Sequence, residues 1–280
     1  MDNLIFTSDF IVNLFDKYRD KLEDFYPSEK WAFEKINSLA NGFGEILDVG
    51  CATGGLGRAL STHYNVKKYD GIDINKQAIE KANSIIDTYP IPVNFECGDI
   101  LNSDKFSNYY DNVFSLSCAD WNIRTFDIIN RCWELVKPGG FFTISVRLTN
   151  IDGVNDFNKS YQVLKYKNTE PEMANYVVFN WKIFLKMIYS LNIKPSEVNG
   201  NGYWGEPSST AITPYKKLAF SLKDYNINDT TIKLLGLNNI FDISDLMTKI
   251  TEFKLSSLSN WINENLGPSF FSKRKLAFCP

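Results

Sequence analysis

The stretch Glu45-Ile46-Leu47-Asp48-Val49-Gly50-Cys51-Ala52-Thr53-Gly54-Gly55-Leu56-Gly57 constrains the fold more than any other part of this 280-residue chain. An apolar run ends in an acid, and a glycine-rich turn passes directly into a helical pattern. Residues without a Cβ let the backbone turn sharply and let a ligand approach it closely. A strand that feeds a helix through such a turn opens a βαβ unit, whose next strand lies parallel to the first. Asp48 narrows the ligand further. A carboxylate two residues before the first glycine suits a cofactor with positive charge, or an amine, better than a pyrophosphate.

The same alternation continues downstream. Strands are predicted near 45–49, 68–72, 92–97, 112–117 and 140–147, and helices near 55–63, 76–87 and 125–136. The expected fold is a doubly wound α/β architecture around a mostly parallel sheet. A further helix is predicted over Val177–Leu191. Ser196–Trp204 and Lys216–Tyr225 read as the last two strands, giving a seven-stranded sheet whose final strand is antiparallel.

Ahead of this core, residues 9–25 read as an amphipathic helix with Phe10, Leu14, Tyr18, Leu22 and Phe25 on one face. Ser28 is the expected cap of a second helix that ends at Gly42 and buries Ala32, Phe33, Ile36, Leu39 and Ala40. The chain thus divides into a helical preface (1–43) expected to cover part of the cofactor site, a core (44–226) with an aperiodic insertion at 148–176 read as lying over the substrate side, and a C-terminal extension (227–280). The extension holds a helical pattern through Leu246, Met247, Ile250, Phe253, Trp261 and Ile262, and reads as a cap or dimer element.

Three later segments follow the glycine-rich turn in order. Tyr69-Asp70-Gly71-Ile72-Asp73 ends a strand in a carboxylate, Val93-Asn94-Phe95-Glu96-Cys97-Gly98-Asp99 ends another in Gly-Asp, and Leu135-Val136-Lys137-Pro138-Gly139-Gly140 leads into a fifth strand. Together the segments resemble class I S-adenosylmethionine (AdoMet) methyltransferases, whose first motif is acid-x-Gly-x-Gly-x-Gly. Ala52 stands at the middle glycine, a small-for-small departure. The resemblance covers roughly residues 45–147 and implies AdoMet as cofactor. Its binding residues would be Asp48, Gly50, Ala52, Gly54, Asp73, Ile74, Gly98, Asp99, Ile100 and Ser117. Asp73 would accept the ribose hydroxyls, as acids at this strand end do in dinucleotide folds, and Asp99 would take the adenine amino group.

The loop Ser117-Cys118-Ala119-Asp120-Trp121-Asn122 follows strand four and so faces the reacting methyl. It lacks the Asn/Asp-Pro-Pro-aromatic pattern of adenine and glutamine N-methylating enzymes and the Pro-Cys pair of cytosine C5 enzymes. Asp120 is the candidate general base, with a turn cap as the alternative. Trp121 is a wall of the site or a core aromatic, and Asn122 is a candidate to orient a polar acceptor. Arg147, at the end of strand five, is a clamp for a phosphate or carboxylate, or a surface ion pair. Tyr203, Trp204 and Ser208 sit in a loop rich in hydrogen-bonding groups. The surrounding Gly202–Ala211 is similar to a segment of methyltransferases from bacterial surface-polysaccharide and small-molecule pathways.

The resemblance therefore implies methyl transfer to a small polar acceptor, first a hydroxyl of a sugar or sugar nucleotide. The alternatives are the amine of a small metabolite, phosphorylated or not, an NAD-binding oxidoreductase, or a non-catalytic AdoMet-binding protein. A formal charge of −3 argues against nucleic acid as partner. No apolar run approaches the ~20 residues of a membrane span. Five scattered cysteines without metal-ligand spacing read as reduced thiols of a cytoplasmic protein. No metal is expected, and a homodimer is compatible with the C-terminal extension. The single histidine, His63, falls near the far end of the first core helix, away from the site.

Overall fold

The structure is a computed structural model, and it describes Phe6 and residues 12–13, 19–106, 109–149, 152–164, 170–193, 195, 197–200, 204–205, 207–214, 231–232, 235–236 and 275–279. Its first strand, β1 (Gly44–Val49), is covered on both faces, which is why the sequence there is an apolar run rather than an alternation. Ile46 joins a core layer with Phe33, Phe43, Leu60, Tyr69 and Phe114. The adjacent Leu47 points the other way, into a layer with Val113, Ile129, Trp133 and Phe142. Helices α1 (Pro27–Ala40), α2 (Gly55–His63) and α3 (Lys76–Ser84) supply the first layer, and α4 (Thr125–Glu134) and α5 (Trp181–Tyr189) the second.

Strands β2 (Val66–Asp73), β3 (Val93–Cys97), β4 (Tyr110–Ser115) and β5 (Val136–Ser145) extend the sheet in parallel. In chain order there follow β6 (Leu148–Thr149), β7 (Tyr161–Leu164), β8 (Glu172–Asn175), β9 (Phe179–Asn180), β10 (Glu197–Gly200), β11 (Trp204–Gly205), β12 (Ala211–Ile212), β13 (Thr231–Ile232), β14 (Leu235–Gly236) and β15 (Lys275–Cys279). The main sheet runs β14-β10-β15-β5-β4-β1-β2-β3. The chain winds outward from β1 to β3, returns to β4 and winds the other way. The reversal between β1 and β4 opens a crevice at the carboxyl ends of these strands, where open α/β sheets bind ligands.

The sheet has eight strands where seven were expected. The partner of β5 is β15, parallel to it, with β10 parallel beyond and only β14 antiparallel at the edge. Lys275–Cys279 therefore forms a strand, although it falls in the segment read as helical. A short apolar run carries no sign of its distant partner, and the free edge of β5 decides its state. Lys216–Tyr225 and the helical pattern from Leu246 to Ile262 lie outside the described residues.

Several boundaries shift for local reasons. Lys137-Pro138-Gly139-Gly140 lies inside β5, looped out so that Tyr110 pairs with Val136 while Asn112 already pairs with Phe141. Helix α5 starts at Trp181 rather than Val177, because the Asn180 side chain accepts from the backbone N–H groups of Lys182 and Ile183. Residues 22–24 make a 3-10 turn in place of the predicted helix end, and Phe10, Leu14 and Tyr18 lie outside the described residues. Helix α1 begins at Pro27 behind Tyr26, not Ser28, since Glu29 accepts from the Tyr26 N–H. Its last turn runs past the core, leaving Leu39 and Ala40 exposed. The insertion folds as an antiparallel β7–β8 hairpin with β12 added to β7. Among the described residues, no helix is long and apolar enough to cross a membrane.

Candidate active site

A cavity of about 330 Å³ occupies the crevice beyond β1 and β4. The β1–α2 turn forms its floor. Gly50 has φ +81°, and a Cβ there would lie 2.4 Å from the Cys118 sulfur, so the position accepts only glycine. Ala52 also takes a positive φ, 48°, which costs a residue with a Cβ about 1 kcal/mol. That conformation turns the Ala52 N–H onto Asp73 Oδ2 at 2.9 Å, while the Asn75 N–H donates to Oδ1 at 2.8 Å. Burial raises the Asp73 pKa and these backbone donors oppose the rise.

Asp48 is 4% exposed and lies in the same wall. Its Oδ2 accepts from the Tyr69 hydroxyl at 2.6 Å. Burial pushes its pKa up to about 7, against the Tyr69 hydrogen bond and the nearby Arg19 cation. Ile74, Gly98, Asp99 and Ile100 line one side of the cavity, and Asp99 Oδ1 accepts from the Leu101 N–H. Ser117 closes the β4 side with φ 52°. Gly54 does not line the cavity. It packs behind the turn, where a Cβ would meet the Tyr89 hydroxyl and the Phe95 ring.

Arg19 of the preface also reaches the cavity, and nothing in the sequence marks it. Its Nη1 donates to Ser117 Oγ at 3.2 Å, and its Nη2 pairs with the buried Glu29 at 2.6 Å. The backbone of Arg19 lies so close to the start of α2 that a Cβ on Gly55 would fall 1.7 Å from its carbonyl oxygen. An Asp20–Arg58 ion pair holds this strap to α2.

A second group of lining residues, Phe6, Trp121, Asn122, Gln162, Leu164 and Ala174, forms the candidate acceptor end. Phe6 meets Trp121 edge to face at 5.5 Å. Gln162, Leu164 and Ala174 come from the β7–β8 hairpin, inside the insertion that the sequence reads as lying over the substrate side without marking any one of these residues.

Asp120 and Arg147 do not line the cavity. Their side chains pair with each other at 3.1 Å, and Arg147 Nη1 also donates to the Asp120 carbonyl at 2.9 Å. The guanidinium lies between the rings of Trp121 and Tyr176, 4.2 and 3.9 Å from their centroids. At 7% exposure Arg147 is neither a surface pair nor a cation open to substrate, and Asp120 is neutralised by it rather than facing an acceptor. The ion pair supports the Trp121 wall from behind. Ser208 likewise stands outside the cavity, hydrogen-bonded to Gln162 and to the Tyr176 hydroxyl. Tyr203 lies outside the described residues, and Trp204 is described only as backbone of β11 paired with β13.

The donor set at the turn fits AdoMet. A buried carboxylate suits a cationic ligand, Asp73 retains lone pairs beyond its backbone donors, and the glycine floor admits close approach. Among the described residues, no group of three or more His, Cys, Asp or Glu side chains could hold a metal ion.

Residues 46–140 match the family model described as a methyltransferase domain. The chain is 28% identical over 199 residues to a ubiquinone biosynthesis O-methyltransferase of Coxiella burnetii, covering 71% of each chain. It is 22% identical over 214 residues to a malonyl-[acyl-carrier protein] O-methyltransferase of a Marinomonas species, covering 74% of this chain and 76% of the other. The solved structure of an S-adenosylmethionine-dependent methyltransferase from Clostridium acetobutylicum aligns with a TM-score of 0.46 at 15% identity, over 64% of this chain and 85% of that one.

Proposed function

We propose that this chain, an S-adenosylmethionine-dependent methyltransferase, methylates a hydroxyl of a small uncharged acceptor. When bound, AdoMet supplies a methyl group already activated by its sulfonium. The protein's part is orientation and exclusion of water, which together account for much of the barrier in such transfers. Asp48 would face the cofactor's cationic end, Asp73 its ribose and Asp99 its adenine, and the N–H groups opening α2 line the floor between them.

One observation carries the acceptor class: the end of the cavity formed by Phe6, Trp121, Asn122, Gln162, Leu164 and Ala174 carries no charged side chain. Of the cations near the cavity, Arg147 is paired with Asp120, and Arg19, which lines it, is paired with the buried Glu29. The sugar-nucleotide and phosphorylated-amine readings both needed Arg147 as an anion clamp, so the proposal keeps the hydroxyl and drops the phosphate. The described lining of that end also holds no titratable group to act as a base. A hydroxyl acidic enough to release its proton to solvent fits this better than an aliphatic alcohol. The relatives named as O-methyltransferases support oxygen as the receiving atom.

The test is release of S-adenosylhomocysteine (AdoHcy) from AdoMet with catechol, methyl glucoside, glucose 1-phosphate and phosphoethanolamine. Turnover of catechol above the anionic compounds supports the reading. Turnover confined to the phosphorylated compounds overturns it.

A further inference from the structure

The insertion hairpin places one polar side chain in the acceptor wall, and the rest of the fold holds it in a fixed orientation. Gln162 on β7 is 9% exposed and lines the cavity. Its Nε2 donates to Ser208 Oγ at 3.0 Å and to Thr210 Oγ1 at 2.7 Å. Both amide protons are thereby used, and the two hydroxyls lie 3.1 Å from each other. The Ser208 N–H is tied in turn to the Tyr176 hydroxyl at 3.1 Å, and Tyr176 is one of the two rings that enclose Arg147. β12 pairs with β7 at Ala211 and Gln162, so the backbone that carries this support is itself in register.

With Nε2 toward the two hydroxyls, as the amide stands here, Oε1 and both its lone pairs lie on the other side of the amide. Oε1 accepts no hydrogen bond from any described residue. Leu164, Ala174 and Phe6 offer a ligand apolar surface in this part of the lining, and the other polar groups there are the Trp121 indole N–H and the Asn122 amide. A ligand placed there without a donor would leave Oε1 desolvated and unpaired, and a site built this way rejects such a ligand strongly.

We propose that Gln162 is the specificity-determining residue of the acceptor site: its Oε1 accepts a hydrogen bond from a hydroxyl of an uncharged, largely apolar acceptor. Ser208 and Thr210 are positioning residues that act through it. The inference rests on the methyl-transfer reading above and names the group that selects the substrate.

The probes are catechol and 2-methylphenol, of nearly equal size but differing by one hydroxyl. Each is assayed for kcat/KM and for binding to the AdoHcy-saturated protein. Wild type is expected to favour catechol about 10–100-fold, the range of one hydrogen bond made in a desolvated site. Gln162→Met keeps the length of the side chain but removes the acceptor; the preference should fall to within about threefold, with AdoHcy affinity unchanged. Ser208→Ala combined with Thr210→Val keeps Oε1 but frees the amide, and should lower the preference partway, mainly through kcat. An unchanged preference in Gln162→Met overturns the assignment. So does a loss of AdoHcy affinity and stability that matches the loss of turnover, because that is the mark of a structural role. Methylation of neither phenol by wild type is a different failure: it removes the acceptor class itself and the Gln162 role with it.

Discussion

Replacing Asp48 with Asn should remove a pH dependence from folding stability. The carboxyl is 4% exposed, and burial lifts its pKa from 3.8 to about 7. Because the folded value lies above the unfolded one, the folded protein binds the extra proton. The associated stability is fully present below pH 3.8 and is lost as pH rises through 7. For a single group with these two pKa values, linkage gives a loss of roughly 2–3 kcal/mol between pH 5 and pH 8. Asn is isosteric, keeps an acceptor for the Tyr69 hydroxyl, and does not titrate. Urea unfolding of both proteins at pH 5, 6, 7 and 8, without cofactor, therefore has a definite expected shape. The stability difference should move by roughly 2–3 kcal/mol in favour of Asp48→Asn as pH rises, since effects of other groups cancel between the two proteins. The same variant should bind AdoMet more weakly at pH 8, having lost the charge that meets a cation. A difference independent of pH over this range would refute the claim that Asp48 is held near neutrality by burial.

The structure also predicts that Arg147→Ala acts through stability. Removing one partner of a buried ion pair costs about 3–5 kcal/mol, so the urea midpoint should fall sharply; a normal midpoint with only a raised KM for the acceptor would restore Arg147 as a clamp. Gly55→Ala would press a methyl onto the Arg19 carbonyl, 1.7 Å from the ideal Cβ, and displace the strap that carries Arg19 to Ser117. A loss of about 1–3 kcal/mol in stability should accompany weaker AdoHcy binding by calorimetry, and no change in either would show that the strap is not docked this way.

What the sequence disclosed follows from how local each signal is. The run from Glu45 to Gly57 contains its own strand, turn and helix start, and β2 and β3 follow at short range, so their order and the positions of Asp48, Asp73 and Asp99 at strand ends were legible. The place of β15 was not. Its pairing with β5 joins residues more than a hundred positions apart, and five apolar-rich residues do not name a partner. Charge was legible at Asp120 and Arg147, but their mutual pairing was not, and it exchanges two expected substrate contacts for one buried support. The insertion and the preface were legible as segments lying over the site, but Gln162 and Arg19 themselves were not, because each owes its place to tertiary contacts: a hairpin inside an aperiodic insertion, and a strap laid across a helix start.

Titration of AdoHcy into wild type and Asp73→Ala, with NAD as the control, tests the central claim most directly. Asp73 stands at the end of β2, held by the backbone N–H groups of Ala52 and Asn75, and lines the cavity. Wild type should bind one AdoHcy per chain and give no heat with NAD. Asp73→Ala should weaken AdoHcy by about 1–3 kcal/mol, or roughly 5–150-fold in dissociation constant. NAD binding in preference to AdoHcy, or an AdoHcy constant unchanged in Asp73→Ala, would contradict the account.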